Sequence, residues 1–302
     1  MFYKDDWLSW TYDGVKFGKK TSPQSKFEFE FKKVINRTIK THKEELLENT
    51  KLLRDKFSEP FDLLFSGGVD SEVILRCHHE LKIPINVFIF KYKNDYNYHD
   101  VRHALRICDE LNVTPTVIDF NLNNFFEKEA YDIWKKVYTI HPGMLTHMKM
   151  IEYLDNIPVM GSGVPTWVCV DGVWKYELQE FLHGQSIYAT TIGRKMIHTW
   201  YSYSPEVLLS HCELPRVQKL FANPTTDPSL FERIKYYTYK DIWPEIIVRP
   251  KRNGYEKFGT APKIKSDELL AMIDFDNNVI KPANVQSVIA HYTKEEFVNL
   301  IG

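Results

Sequence analysis

The sequence is short of cysteine, of net charge and of long apolar runs, and each shortage removes a class of function. Four cysteines stand in 302 residues: Cys77, Cys108, Cys169 and Cys212. None forms a C-x-x-C pair, so zinc ribbons and thioredoxin-like redox chemistry have no support. Cys77 and Cys108 fall on apolar positions of amphipathic stretches and are expected to be small core residues. The formal net charge is −1, which supplies no global attraction to nucleic acid or anionic membrane and leaves a local basic patch open. No apolar run reaches the ~20 residues of a membrane span, and the opening "MFYKDDWLSW" lacks the layout of a signal peptide. A reducing, cytoplasmic-type compartment is the expectation. There is no internal repeat, no low-complexity tract and no G-x-x-x-x-G-K-[ST] phosphate loop.

What is present is ordinary globular material, 43% hydrophobic and 26% charged, with a strong pattern in the middle. "FDLLF" (61–65), "INVFIFKY", "TPTVIDF" and "IPVMGS" read as short strands. Between them "SEVILRCHHELKI", "HDVRHALRICDEL" and "LTHMKMIEYL" read as helices, with Val73, Ile74, Cys77 and Leu81, then Val101, Ala104, Leu105, Cys108 and Leu111, at helical spacing. Strands alternating with helices predict an α/β fold built on a mainly parallel, doubly wound sheet. Before it, residues 1–58 are expected to be irregular and helical, with a turn at "TYDG" and a mostly helical segment from "SKFEFEFKK" to residue 57, although "FEFEF" itself alternates like a strand. After about residue 175 the strand signals fade. "WKYELQEFLHG", "YATTIGRKMIHTWYSYSPEVLLSH" and "TDPSLFERIKYYTYKDIW" read as helical. The expected division is 1–58, an α/β unit over 59–178, and a mainly helical region over 179–302.

The chemistry concentrates in "SGGVDS", residues 66–71. A strand that ends in a glycine turn and enters a helix makes an anion site, because the first amides of the helix lack internal partners and the helix dipole favours negative charge there. Gly67 and Gly68 let the backbone approach an anion and take positive φ where needed. Ser66 and Ser71 offer hydroxyls. Asp70 beside a phosphate would repel it unless a cation such as Mg²⁺ lay between them.

This string resembles the signature of the PP-loop, or N-type, ATP pyrophosphatases over about residues 60–165. The resemblance implies an adenine nucleotide alpha hydrolase-like fold with ATP across the C-terminal strand ends. It also implies Mg²⁺, cleavage between the α- and β-phosphates, and an adenylated intermediate that a nitrogen or sulfur nucleophile resolves. Carried over, Ser66, Gly67, Gly68, Val69 and Ser71 bind phosphate, Asp70 holds the metal, and the backbone at Phe90 meets the adenine. Among the branches, the sulfur-transfer, nitrile-forming and phosphosulfate-reducing ones carry cysteine sets that this sequence lacks. "KYYTYKDIWPEIIVRPKRNGYEKF" is similar to the closing stretch of the asparagine synthetase-like branch, with Pro244, Arg249, Lys251 and Gly254 matching. There Lys251 would neutralise the leaving pyrophosphate.

Two departures stand out. Residue 2 is Phe2 and the first cysteine is Cys77, so the catalytic cysteine of a glutaminase half is not expected, and ammonia, an amine or a separate glutaminase subunit would supply nitrogen. The acidic "SGEGADE" of the branch is replaced by "VMGSGVPTWVCVDGVW". Gly161 and Ser162 there are read as a second nucleotide contact or as a tight turn. Asp171, Glu177 or Glu180 are open as replacements for the acidic pair. Asp119 reads as a turn aspartate, and His99 and His103, four apart on one helix, as surface or capping residues. The functional expectation is an ATP-dependent, AMP-forming ligase or amidotransferase that adenylates a carboxyl or carbonyl oxygen of an unknown small-molecule acceptor and transfers ammonia or an amine to it. A nucleotide or tRNA base-modifying enzyme and a non-catalytic nucleotide-binding partner are the alternatives.

Overall fold

A computed structural model describes residues 7–22, 24–33, 35, 37–139, 141–163, 165–197, 199–223, 229–249, 273–274, 279–280 and 289–301. The first strands, β1 (Leu8–Tyr12), β2 (Val15–Lys16) and β3 (Phe27–Phe31), form a small antiparallel sheet in the order β2-β1-β3. The "DG" of "TYDG" makes the β1–β2 hairpin, with Asp13 at φ 50° and Gly14 at φ 77°, the positive φ pair that a two-residue hairpin turn requires. "FEFEF" is β3 and pairs with β1 from Tyr12↔Phe27 to Leu8↔Phe31. The mostly helical reading of this segment is thus corrected: its alternation has period two, and the helix begins only at α1 (His42–Lys56). Thr41 and Glu44 start α1 with a reciprocal capping box.

The central unit follows the expected order: β4 (Phe61–Leu64), α2 (Val69–Glu80), β5 (Asn86–Tyr92), α3 (Tyr98–Glu110) and β6 (Thr116–Phe120). After these come α4 (Leu122–Lys128), α5 (Ala130–Val137), α6 (Pro142–Ile151) and β7 (Ile157–Met160). The sheet is parallel throughout, in the order β6-β5-β4-β7. Alternation along the strands sends side chains to two cores. Phe61, Leu63, Val87, Ile89, Ile157 and Val159 pack with α1, α2 and α3. Leu64, Phe90, Phe120 and Met160 pack with α4, α5 and α6. Helices therefore cover both faces, and the α/β, doubly wound class is observed. Cys77 and Cys108 are core residues at 0% and 1% exposure. Leu105, placed on the buried face of α3 by its spacing, is exposed instead.

Beyond β7 the chain forms β8 (Trp167–Val170), β9 (Val173–Gln179), α7 (Gly184–Thr191), α8 (Pro205–Cys212), α9 (Pro215–Phe221) and α10 (Ser229–Ile242). It then adds β10 (Ile273–Asp274), β11 (Val279–Ile280), β12 (Ile289–Thr293) and α11 (Lys294–Ile301). The helical reading of "WKYELQEFLHG" is overturned. Trp174, Tyr176 and Leu178 alternate as buried residues along β9, which pairs antiparallel with β8 on one side and β12 on the other. The long helix expected over 188–211 is two helices, broken at Gly193 with φ 77° and restarted by Pro205. A third core, with Trp7, Trp167, Trp174 and Phe297, lies under this second sheet.

Candidate active site

The site is built where β4 hands over to α2. Gly67 sits at φ 73°, and a Cβ there would stand 2.7 Å from the Ala104 amide nitrogen and 2.8 Å from the Asp100 carbonyl oxygen of α3. Positive φ and a pressing helix both demand glycine. Gly68 is the N-cap of α2, and no side chain among the described residues caps that helix. Its first amides are left to whatever binds there. The Ser66 hydroxyl accepts from the Gly68 N–H at 3.1 Å and lies 3.2 Å from the Ser71 hydroxyl, which donates to the Gly68 carbonyl at 3.0 Å. The turn is held by its own serines, while Ser66 itself is exposed. Val69 is buried at 2% exposure and roots the helix start in the core.

Asp70, in the first turn of α2, has two unlike oxygens. Oδ2 accepts from Lys235 Nζ of α10 at 3.0 Å. Oδ1 is buried and has no partner among the described residues. A buried carboxylate oxygen left so is costly, and it suits a hard cation, because Mg²⁺ binds through one or two carboxylates and otherwise takes water and phosphate oxygens. The residues present fit that ion in this sense. No group of three or more His, Cys, Asp or Glu among the described residues forms a ready-made metal cage. Tyr201 donates to the Asp70 carbonyl at 2.7 Å, and burial holds its phenol pKa well above the ordinary value.

A second cation stands close by. Arg249 Nη1 is 3.4 Å from Asp100 Oδ1, and Arg249 Nη2 is buried without a partner among the described residues. Asp100 belongs to the stretch of α3 that presses on Gly67. His99 Nε2 lies 3.3 Å from Asp100 Oδ2. Burial, and then the neighbouring Arg249, Arg102, Arg106 and His99, push His103 down to about 4. Two cations, Lys235 and Arg249, thus stand near the glycine turn, each beside a carboxylate.

The other expected site residues are spread along the same strand edge. A Cβ on Gly161 would lie 2.7 Å from the Ser71 amide nitrogen. Gly161 therefore lets the end of β7 pack against the first turn of α2. Ser162 donates to Gln185 Oε1 at 3.2 Å, and Gln185 Nε2 lies 3.0 Å from His147 Nδ1. The Phe90 carbonyl accepts from Asn97 Nδ2 at 2.8 Å, and its ring meets Phe120 and Tyr153. Asp119 lies within β6, opposite Lys91, rather than in a turn. Lys251 and Gly254 fall outside the described residues.

Of the three acids weighed for the missing acidic motif, Glu180 is sealed in at 2% exposure with Lys20 at 2.6 Å and Tyr12 at 2.9 Å. Asp171 is an exposed turn residue at φ 53° between β8 and β9. Glu177 of β9 faces His291 of β12, with Oε2 3.3 Å from Nε2. Sequence reasoning missed Lys235, Tyr201 and Asp100. The one available signal was that "FERIKYYTYKDIW" carries a lysine among aromatic residues of an amphipathic helix.

No family model matches the chain, and no curated protein matches it. Among solved structures, NMN synthetase from Francisella tularensis aligns over 39% of this chain and 49% of its own, with 20% identity and a TM-score of 0.30. The chain thus spans about half the length of that synthetase. NH3-dependent NAD synthetase from Campylobacter jejuni, solved in complex with the nitrate ion, aligns over 70% of this chain and 97% of its own, with 15% identity and a TM-score of 0.30. Overlap at this level assigns no activity, and the chemistry rests on the chain's own residues. No helix among the described residues is long and apolar enough to cross a membrane.

Proposed function

We propose that the chain is an ATP-using synthetase of the PP-loop type, working in a cytoplasmic-type compartment. In this reading residues 59–178 bind ATP and 179–302 hold the acceptor. The observation that carries it is the start of α2, uncapped by any side chain among the described residues, beside Asp70, whose buried Oδ1 lacks a partner among those residues while Lys235 holds the other oxygen. The α2 amides, Ser66 and Ser71 receive the phosphates of ATP, and Gly67 and Gly68 keep side chains out of their way. Asp70 is the residue to hold Mg²⁺, which when bound offsets charge on the phosphates. A carboxylate or carbonyl oxygen of the acceptor attacks the α-phosphorus, the bond to the β-phosphate oxygen breaks, and pyrophosphate leaves. Lys235, together with Lys251, stabilises the charge that builds on the leaving group. Ammonia or an amine, free or passed on by a separate glutaminase subunit, then displaces AMP. This is the asparagine synthetase-like form of the reaction.

ATP–pyrophosphate exchange with a panel of carboxylic acids tests it. Exchange that needs Mg²⁺ and falls by about a hundredfold in Lys235→Met supports the reading. Tight ATP binding without exchange for any acid overturns it and leaves a nucleotide-binding module.

A second reading, modification of a nucleotide or tRNA base, is favoured by the cluster of Arg102, Arg106 and Arg249 around a neutral His103 on α3. Binding of tRNA that weakens steeply with salt supports that alternative.

A further inference from the structure

Three side chains beside the glycine turn form a line that no motif accounts for: Ser162 just past β7, Gln185 on α7 and His147 on α6. Ser162 donates to Gln185 Oε1 at 3.2 Å. At the other end of the amide, Gln185 Nε2 meets two atoms, Met144 Sδ at 3.0 Å and His147 Nδ1 at 3.0 Å. Gln185 itself is 0% exposed. An NH2 group carries two donors, and a thioether sulfur can only accept. One N–H therefore goes to the sulfur and the other to the ring, and the amide oxygen has to face Ser162. His147 Nδ1 accepts, so the ring is neutral and its proton sits on Nε2. Desolvation, and then the neighbouring His141, hold His147 down at about 4, in keeping with that form. Ser162 thus spends its only proton inward and has lone pairs alone to offer outward.

The place of Ser162 gives that polarity a use. A Cβ on its neighbour Gly161 would press on the Ser71 amide, in the first turn of α2, and one residue on is about 3.8 Å of chain. Ser162 is half-buried there. A phosphate or carboxylate oxygen would meet lone pairs and be refused. The sheet order β6-β5-β4-β7 puts Phe90, on β5, and Ser162, after β7, on opposite sides of β4. With adenosine on the Phe90 side, the acceptor is what lies beside Ser162. We propose that Ser162 recognises a hydrogen-bond donor on the acceptor, an amino or hydroxyl group within a few bonds of the oxygen that is adenylated, and that Gln185 and His147 are positioning residues that keep Ser162 an acceptor. The proposal rests on the adenylation reading for its place in the reaction and on the Ser162–Gln185–His147 line for its chemistry. The substrate class is then amino or hydroxy acids, in preference to plain, oxo or phosphorylated ones.

Two measurements on the full chain test it. Histidine ¹⁵N NMR reads the tautomer without any ligand, with His147→Gln identifying the signals. The Nε2–H form is expected; the Nδ1–H form, or a protonated ring at neutral pH, reverses the line and overturns the proposal. Thermal shift with α,β-methylene-ATP present then compares the propionate, succinate and 3-phenylpropionate series, each bearing amino, hydroxyl, hydrogen or oxo at the carbon beside the carboxyl. In at least one series the amino or hydroxy acid should bind about tenfold tighter than the plain acid, with the oxo acid weakest. Ser162→Ala should abolish that preference. Gln185→Met should cut it about threefold, because the released Ser162 hydroxyl can turn its proton outward. If Gln185→Met gives no cooperative transition, Ser162→Ala alone decides. No preference in any series, or one unchanged in Ser162→Ala, overturns the proposal. So does a loss in Ser162→Ala that falls on ATP and spares 2′- or 3′-deoxy-ATP, which places the donor on the ribose. A preference without pyrophosphate exchange keeps this role for Ser162 and sinks adenylation; exchange without the preference does the reverse.

Discussion

Strand β4 has a carboxylate near each end, and the two are treated oppositely. Asp62, near the start of the strand, is 0% exposed and fully engaged. It accepts from Asn86 Nδ2 at 2.8 Å, from the Asp155 and Asn156 amides at 3.1 and 2.9 Å, and from Asn156 Nδ2 at 2.9 Å. These bonds tie the N-terminal edges of β5 and β7 to β4. Asp70, past the other end, holds one lysine and leaves a buried oxygen with no partner among the described residues. One edge of the sheet has spent its polar groups on the fold. The other edge keeps an uncapped helix and a half-satisfied carboxylate, at a cost that a ligand can repay.

The contrast can be broken by substitution. Asp62→Ala leaves four donors without an acceptor and should cost about 3 kcal/mol or more. Urea unfolding would measure it, and a loss under 1 kcal/mol would mean that the N-terminal edge is not the anchor described. Gly67→Ala combines a positive φ with the contact on α3, and should cost about 3 kcal/mol while abolishing ATP binding. A variant of wild-type stability that still binds ATP would show that the turn tolerates a side chain.

Acid should strike the anchored edge as well. His78 of α2 is 1% exposed with its ring 6.0 Å from that of Phe61, and burial pushes it down to about 4. Its folded pKa lies below the unfolded value, so the unfolded chain binds the proton first. The contribution is complete above about pH 6.5 and is lost as pH falls towards 4, about 2 kcal/mol between pH 7 and pH 5. His78→Asn should flatten that part of the stability–pH curve, and an unchanged slope would remove His78 from the account.

Asp70→Asn should be the mildest for folding, within about 1 kcal/mol of the parent, yet it should stop Mg²⁺-dependent exchange. Equal damage to stability from Asp70→Asn and Asp62→Ala would erase the distinction between the two edges.

The same division explains what could be read from the sequence. The glycine turn was legible because backbone conformation is dictated locally: Gly67 needs its φ, and six consecutive residues make the turn. The four strands of the parallel sheet were legible for the same reason, as short apolar runs between helical periods. Lys235 and His291 were not, because side chains that converge from distant segments leave no spacing to recognise. Lys235 reaches Asp70 across 165 positions, and His291 reaches Glu177 across 114. The second sheet was misread because β9 mixes alternation with long polar side chains, and pairing on both sides, unseen in one strand's sequence, decided its form.

The most direct test of the proposed phosphate role of the glycine turn is the fate of ATP itself, followed by ³¹P NMR with Mg²⁺, ammonium and a pool of carboxylic acids. AMP and pyrophosphate in equal amounts, absent in Lys235→Met, is the expected result. ADP and inorganic phosphate, or products unaffected by that substitution, would contradict it.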